Sequence, residues 1–317
     1  MNILLNNYCN LKCEYCFANE VIAEEKQAIS LEDFQWLIEF LWRSGLDSIR
    51  LIGGEPTLHP QFADLLIEVG RHQFIKEILL FTNGTYNDRI GFLLQLIAKA
   101  KRMNVLLNYN DPEVIGEEKN TIILHNIKNL SQAEIRTTLG INFYKPDQDY
   151  AYLIEAALKY KMKIRWSIVV PNTEEKKNYD VRKYFSAFVP LISQFIQDCA
   201  HLKIQPGVDC NNIPLCLLDD ETLRLIALLA ENNLKTSICS PVVDVKPSLK
   251  AIRCFILNRY EVDIKNFETL EELKGHFHEK VDQEFLGRQL FPECEKCASF
   301  QINNKSCACL GFKREVG

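Results

Sequence analysis

The loop Cys9-Asn10-Leu11-Lys12-Cys13-Glu14-Tyr15-Cys16 places three cysteines at the spacing CxxxCxxC. Three thiolates so placed can hold three corners of a cubic iron–sulfur cluster and leave the fourth iron open to a ligand, as a reactive centre needs. A structural zinc site draws on the same residue type. Zinc fingers and ribbons, however, bring a second cysteine pair close by, and the next cysteine here is Cys199. Further on, the run 48–52 leads straight into Gly53-Gly54-Glu55-Pro56-Thr57. Two glycines at a strand end allow close backbone approach to a ligand, and Glu55 offers a carboxylate to an ammonium group. Taken alone, the same five residues also make an ordinary turn.

These two loops need a scaffold that brings them to one place, and the first two-thirds of the chain supplies it. Alternating patterns predict strands at 3–6, 48–52, 76–81, 104–108, 136–143 and 163–170. Between them, helices are expected from Ser30 to Gly45, with Phe34, Leu37, Ile38 and Leu41 as the apolar stripe, and at 62–70, 90–100, 117–130 and 149–160. Six strand–helix units of this length imply an α/β fold with a parallel sheet curled into an open barrel. Right-handed crossovers put every strand's C-terminal end on one rim, and both motifs fall on that rim.

CxxxCxxC with Tyr15 inside it, joined to Gly-Gly-Glu-Pro, resembles the radical S-adenosylmethionine superfamily over roughly residues 1–200. The resemblance implies a partial (β/α)6 TIM barrel. It also implies that Cys9, Cys13 and Cys16 ligate a [4Fe–4S] cluster whose open iron chelates S-adenosylmethionine. Tyr15 is then expected against the adenine, Gly53, Gly54 and Glu55 at the methionine amino group, and Thr82 and Asn108 near the nucleoside. One-electron cleavage of the sulfonium, fed by a flavodoxin- or ferredoxin-type reductant, would release a 5′-deoxyadenosyl radical that abstracts hydrogen from substrate.

The tail differs in composition. After a long helix at 181–199, expected to break or bend at Pro190, nine of the twelve cysteines lie from Cys199 onward, which sets a domain boundary near residue 200. Cys239 and Cys254 flank an expected hairpin with its turn at Lys246-Pro247-Ser248, and a helix at 270–289 leads to Cys294-Glu295-Lys296-Cys297. This resembles the auxiliary iron–sulfur domain called twitch or, in its longer form, SPASM, over 201–317. The resemblance implies at least one auxiliary [4Fe–4S] cluster on Cys239, Cys254, Cys294 and Cys297. Cys307 and Cys309 are candidates for a second, and Cys199, Cys210 and Cys216 have no assigned role. Zinc on the same four thiolates is the alternative. The family's glycine five residues before the second hairpin cysteine is replaced here by Leu249.

Composition narrows the rest. A chain of 317 residues with 47% hydrophobic content can bury a large core. A net charge of −5 without a Lys/Arg block gives no support for a nucleic-acid partner, and no apolar run approaches membrane-spanning length. The N-terminus lacks a basic, cleavable signal, so the expected compartment is the cytoplasm. The resemblance favours an enzyme that crosslinks, epimerises or dehydrogenates a peptide or protein. Leader recognition would fall to a separate binding protein or to the auxiliary region. The alternatives are a dehydrogenase of a small molecule such as a sugar or aminocyclitol, or a non-catalytic iron–sulfur carrier.

Overall fold

The computed structural model describes residues 1–16, 18–170, 180–208, 213–229, 242–297 and 309. Seven strands run parallel and in chain order: β1 (Asn2–Leu4), β2 (Ser48–Ile52), β3 (Glu77–Thr82), β4 (Arg102–Asn108), β5 (Arg136–Phe143), β6 (Lys163–Ile168) and β7 (Pro206–Val208). The first six are the expected ones. β7 escaped notice because Pro206-Gly207-Val208 carries no apolar alternation and is recruited only by pairing with β6.

Helices fill the crossovers. Residues Asn19–Ile22 (α1) form a single turn after the cysteine loop, and α2 (Leu31–Arg43) starts as its sequence predicts, with the Ser30 side chain accepting from Asp33 N at 3.0 Å. Its stripe Phe34, Leu37, Ile38 and Leu41 is buried, each side chain contributing about 1.5–3 kcal/mol of transfer free energy. Next come α3 (Phe62–Arg71), α4 (Asp88–Ala98), α5 (Pro112–Ile115), α6 (Glu117–Gln132) and α7 (Ala151–Tyr160). The helix α8 (Val181–His201) runs continuously past Pro190, where a break or bend was expected, and α9 (Asp220–Leu229) follows. On β3, Ile78, Leu80 and Thr82 are buried while Glu77, Leu79 and Phe81 are partly exposed, so the strand has one packed and one open face. The Arg165 guanidinium of β6 lies 5.8 Å from the Phe81 ring centroid of β3, although β4 and β5 separate the two strands. That contact requires the sheet to curl, and it places both side chains in the concave lumen of an open barrel.

The sheet also runs across the boundary expected near residue 200. Strand β8 (Asp244–Val245) pairs parallel with β1, then β9 (Lys250–Ile252) and β10 (Glu261–Asp263) add antiparallel, giving ten strands in the order β10-β9-β8-β1-β2-β3-β4-β5-β6-β7. The expected hairpin is thus present as an edge extension of the barrel sheet. Its turn fits the family's glycine: Leu249 sits at φ +60°, a left-handed backbone that costs a residue with a Cβ about 1–2 kcal/mol. Buried Lys246 ties the hairpin to the segment after α1 and to β10 by pairing with Glu24 at 2.7 Å and Glu261 at 2.9 Å. The last expected helix is divided into α10 (Leu270–Phe277), a π-turn at His278–Asp282 and α11 (Gln283–Leu286). Asp282 in that turn makes a buried two-pronged pair with Arg253, at 2.8 and 2.7 Å. Among the described residues no helix is long and apolar enough to cross a membrane.

Candidate active site at the barrel rim

The segment after β1 is joined to the segment after β2 by backbone hydrogen bonds. Gly54 N donates to Asn6 O at 3.0 Å, Glu55 N to Tyr8 O at 2.8 Å, and Asn6 Nδ2 returns to Glu55 O at 2.9 Å. This contact explains the glycine pair. A Cβ on Gly54 would stand 2.3 Å from Tyr8 O, and one on Gly53 would stand 2.8 Å from Asn6 O. The close approach that the glycines permit is therefore to the chain leading into Cys9, and Gly-Gly-Glu acts as the platform for the cysteine loop. Asn7, also buried, holds the other side by bonding Val21 O, Glu25 O and Gln27 N.

Cys9, Cys13 and Cys16 are each partly buried. Burial raises all three thiol pKa values, that of Cys16 to about 11, and the neighbouring thiols add to the rise: Cys13 acts on Cys9, and both Cys13 and Cys9 act on Cys16. Two donors oppose the rise at Cys9, Leu11 N at 3.3 Å and Asn83 Nδ2 at 3.5 Å from its sulfur. Among the described residues no three Cys, His, Asp or Glu side chains converge tightly enough for a metal ion.

Glu55 lies at the base of this loop with no solvent exposure. Its Oε1 accepts from Thr57 N (3.1 Å), Thr57 Oγ1 (2.6 Å) and Thr82 Oγ1 (2.8 Å), and its Oε2 from Asn83 N (2.7 Å). Burial raises its pKa, and these four donors hold the rise down. Among the described residues no Lys, Arg or His forms an ion pair with it. The donor set is matched to an ionised carboxylate that lacks a cation.

The remaining predicted contacts are distributed less simply. The Thr82 hydroxyl, expected near a nucleoside, is committed to Glu55 and also accepts from Gly84 N. Asn108 ends β4 on the rim as expected. Its side chain lies over Gly140, where a Cβ would come within 2.6 Å of Asn108 Oδ1. The Tyr15 hydroxyl donates to Asn110 Oδ1 at 2.6 Å, and its ring stacks on Tyr144 with centroids 4.3 Å apart. Asn83 and Asn110 were missed because asparagine after a strand reads as a turn residue, and Gly140 inside β5 and Tyr144 just after it because neither residue type by itself signals a site. The usable signal was the recurrence of asparagine at successive strand ends.

Of the predicted auxiliary ligands, Cys254 follows β9, Cys294 is buried in the turn Pro292–Lys296, Cys297 is exposed just after it, and Cys309 is buried. Cys239 and Cys307, and Cys210 besides, lie outside the described residues. Exposed Cys216, in the turn Leu215–Leu217, has its pKa raised by burial and then by Cys294 and Cys297, which places it within electrostatic reach of that pair. Arg182 of α8 draws the same segment in, pairing with Glu293 at 2.6 Å and lying 4.4 Å from the Phe291 ring centroid.

Comparison with known proteins agrees with the rim chemistry. A GTP 3',8-cyclase from Synechocystis sp. is 25% identical over 300 residues, covering 90% of this chain and 86% of the cyclase. A second, from Alkaliphilus oremlandii, is 29% identical over 119 residues, or 37% of each protein. Among solved structures, anSMEcpe with bound AdoMet superposes with a TM-score of 0.71 at 17% identity, covering 96% of this chain and 88% of that one. Streptococcus suis SuiB bound to S-adenosylmethionine gives 0.65 at 14%, covering 96% and 72%, and these two likenesses speak to the fold alone. Residues 3–159 match the model of the Radical SAM superfamily, and through that barrel half the chain belongs to the Radical SAM superfamily.

Proposed function

We propose that Cys9, Cys13 and Cys16 hold a [4Fe–4S] cluster and that Glu55 receives the amino group of S-adenosylmethionine beside it. The observation that carries this reading is the buried Glu55 carboxylate at the base of the cysteine loop, which has no ion-pair partner among the described residues. A carboxylate offers about four acceptor positions over its two oxygens. Among the described residues Oε1 accepts from three donors and Oε2 from Asn83 N alone, which leaves Oε2 acceptor capacity for an ammonium. With an electron from an external reductant, a cluster and S-adenosylmethionine held there would supply reductive cleavage of the sulfonium. The protein's own part is positional. Gly53 and Gly54 fix the loop on its platform, Tyr15 and Tyr144 close one side of the rim, and Asn108 of β4, level with Gly140 and Arg165, shares their face of the sheet.

The long match to a GTP 3',8-cyclase makes a nucleoside triphosphate the first to try, ahead of the peptide that the tail's cysteines suggest. For that tail, Cys254 after β9, buried Cys294 and Cys297 just after it are the described candidates to hold an auxiliary cluster. Anaerobic reconstitution with S-adenosylmethionine and dithionite should yield 5′-deoxyadenosine, and replacing Cys9, Cys13 and Cys16 by Ala should abolish it. GTP that accelerates cleavage and is itself converted supports the nucleotide reading, whereas conversion of a peptide alone would replace it. No 5′-deoxyadenosine from iron-loaded protein would overturn the function. Iron near about eight per chain supports two clusters; about four, with zinc in the tail, removes the second.

A further inference from the structure

Asn83 stands between the two halves of the site, and a closed ring of hydrogen bonds fixes which way its amide points. Thr85 N and Thr85 Oγ1 both donate to Asn83 Oδ1, at 3.0 and 2.6 Å. A backbone N–H can only donate, so the amide oxygen must face Thr85 and Nδ2 must face the cysteine loop. There Nδ2 donates to Asn10 Oδ1 at 2.9 Å, and Asn10 Nδ2 closes the ring on Thr85 Oγ1 at 2.8 Å. The second hydrogen on Asn83 Nδ2 is directed to Cys9 Sγ, at 3.5 Å. The backbone N–H of the same residue donates to Glu55 Oε2 at 2.7 Å.

From this geometry we infer that Asn83 is a positioning residue that raises the reduction potential of the cluster held at Cys9. The inference rests on the reading of Cys9, Cys13 and Cys16 as cluster ligands. A hydrogen bond to a ligating sulfur stabilises negative charge there, and the reduced cluster carries one more electron than the oxidised one. The bond therefore favours the reduced state, as hydrogen bonds to cluster sulfurs do generally. Asn83 also joins Cys9 to Glu55 through one residue, so a cation arriving at Glu55 acts on a group in direct contact with a cluster ligand.

The test is a redox titration of the full-length reconstituted chain, followed by paramagnetic resonance of the reduced cluster. Asn83→Leu removes the side-chain donor and keeps the backbone N–H to Glu55. At a fixed ambient potential its ratio of reduced to oxidised cluster should fall about tenfold, 59 mV for a one-electron couple. Thr85→Val disturbs the ring but keeps the Thr85 N–H that orients the amide, so its potential should stay close to the parent's. An equal shift in both variants, or none in Asn83→Leu with iron retained, overturns the inference. Loss of iron from Asn83→Leu alone also overturns it, by making the residue structural. A parent chain that takes up no iron at Cys9 defeats the underlying cluster reading instead.

Discussion

Replacing Glu55 by Gln separates what this residue does for the fold from what it does for a ligand. All four groups that face the carboxylate are donors, two of them hydroxyls that can rotate and two of them backbone N–H groups, of Thr57 and Asn83, that cannot. A glutamine amide presents one oxygen and one NH2, so either flip sets the NH2 against one of those backbone donors. An unsatisfied buried donor costs about 1–3 kcal/mol. With roughly 2–4 °C of Tm per kcal/mol for large domains, the variant should melt several degrees lower yet remain folded. The ligand term is separate: a charge-assisted hydrogen bond contributes about 1.5–3 kcal/mol, so S-adenosylmethionine should bind roughly ten- to hundredfold more weakly. Anaerobic calorimetric titration of the cluster-loaded variant measures this. The sign with pH follows from the raised pKa of Glu55. The folded protein takes up the proton more readily than the unfolded chain, so this group's contribution to stability falls as pH rises through its folded pKa. Ligand affinity should move the opposite way, weakening as pH falls through that value, and Glu55→Gln should flatten both profiles. Unchanged affinity in a folded, cluster-loaded variant would refute the reasoning and leave Glu55 a purely structural anchor.

Three further perturbations test the supporting parts. Gly54→Ala forces a methyl into Tyr8 O at 2.3 Å and should displace the cysteine loop, so the protein keeps its far-UV circular dichroism but loses iron at the first site. Asp282→Ala removes the two buried hydrogen bonds that its carboxylate accepts from Arg253 and should lower stability in urea unfolding by about 1.5–3 kcal/mol for each charge-assisted bond, whereas Arg253→Met with Asp282→Leu should recover part of the loss. Leu249→Gly relieves about 1–2 kcal/mol of left-handed strain but gives up a side chain that is 4% exposed, and Leu-to-small changes in a core cost about 2–5 kcal/mol. The glycine variant should therefore be less stable despite its easier turn, and a more stable one would mean that the Leu249 side chain packs poorly.

How far the sequence was legible depends on the range of the interactions that decide each part. The first six strands and the start of α2 are written in local periodicity and a serine cap, and they fold where those signals lie. The cysteine loop and Gly-Gly-Glu are short motifs whose residues are few and chemically specific, so their meeting on one rim followed from the topology. What escaped was decided by pairing across distant segments. β7 exists because β6 offers it an edge, and the hairpin of β8 and β9 joins the barrel because β1 has a second edge to satisfy. The same holds inside the site. Glycine at 54 suggested approach to a ligand, but residue 54 meets Tyr8, a contact visible only once β1 and β2 are side by side. Asn83 is the clearest case. As a residue after a strand it reads as a turn former, and its backbone does turn. Its significance comes from partners at positions 9, 10 and 55, far away in sequence: Thr85 nearby orients the amide so that Nδ2 meets Cys9 and Asn10, while the backbone N–H meets Glu55. Polar residues at successive strand ends of a parallel barrel converge on one rim by construction. The informative step is therefore to ask of each which donors and acceptors its neighbours leave open. At this rim that question singles out Oε2 of Glu55 and the sulfur of Cys9, two groups linked through one asparagine.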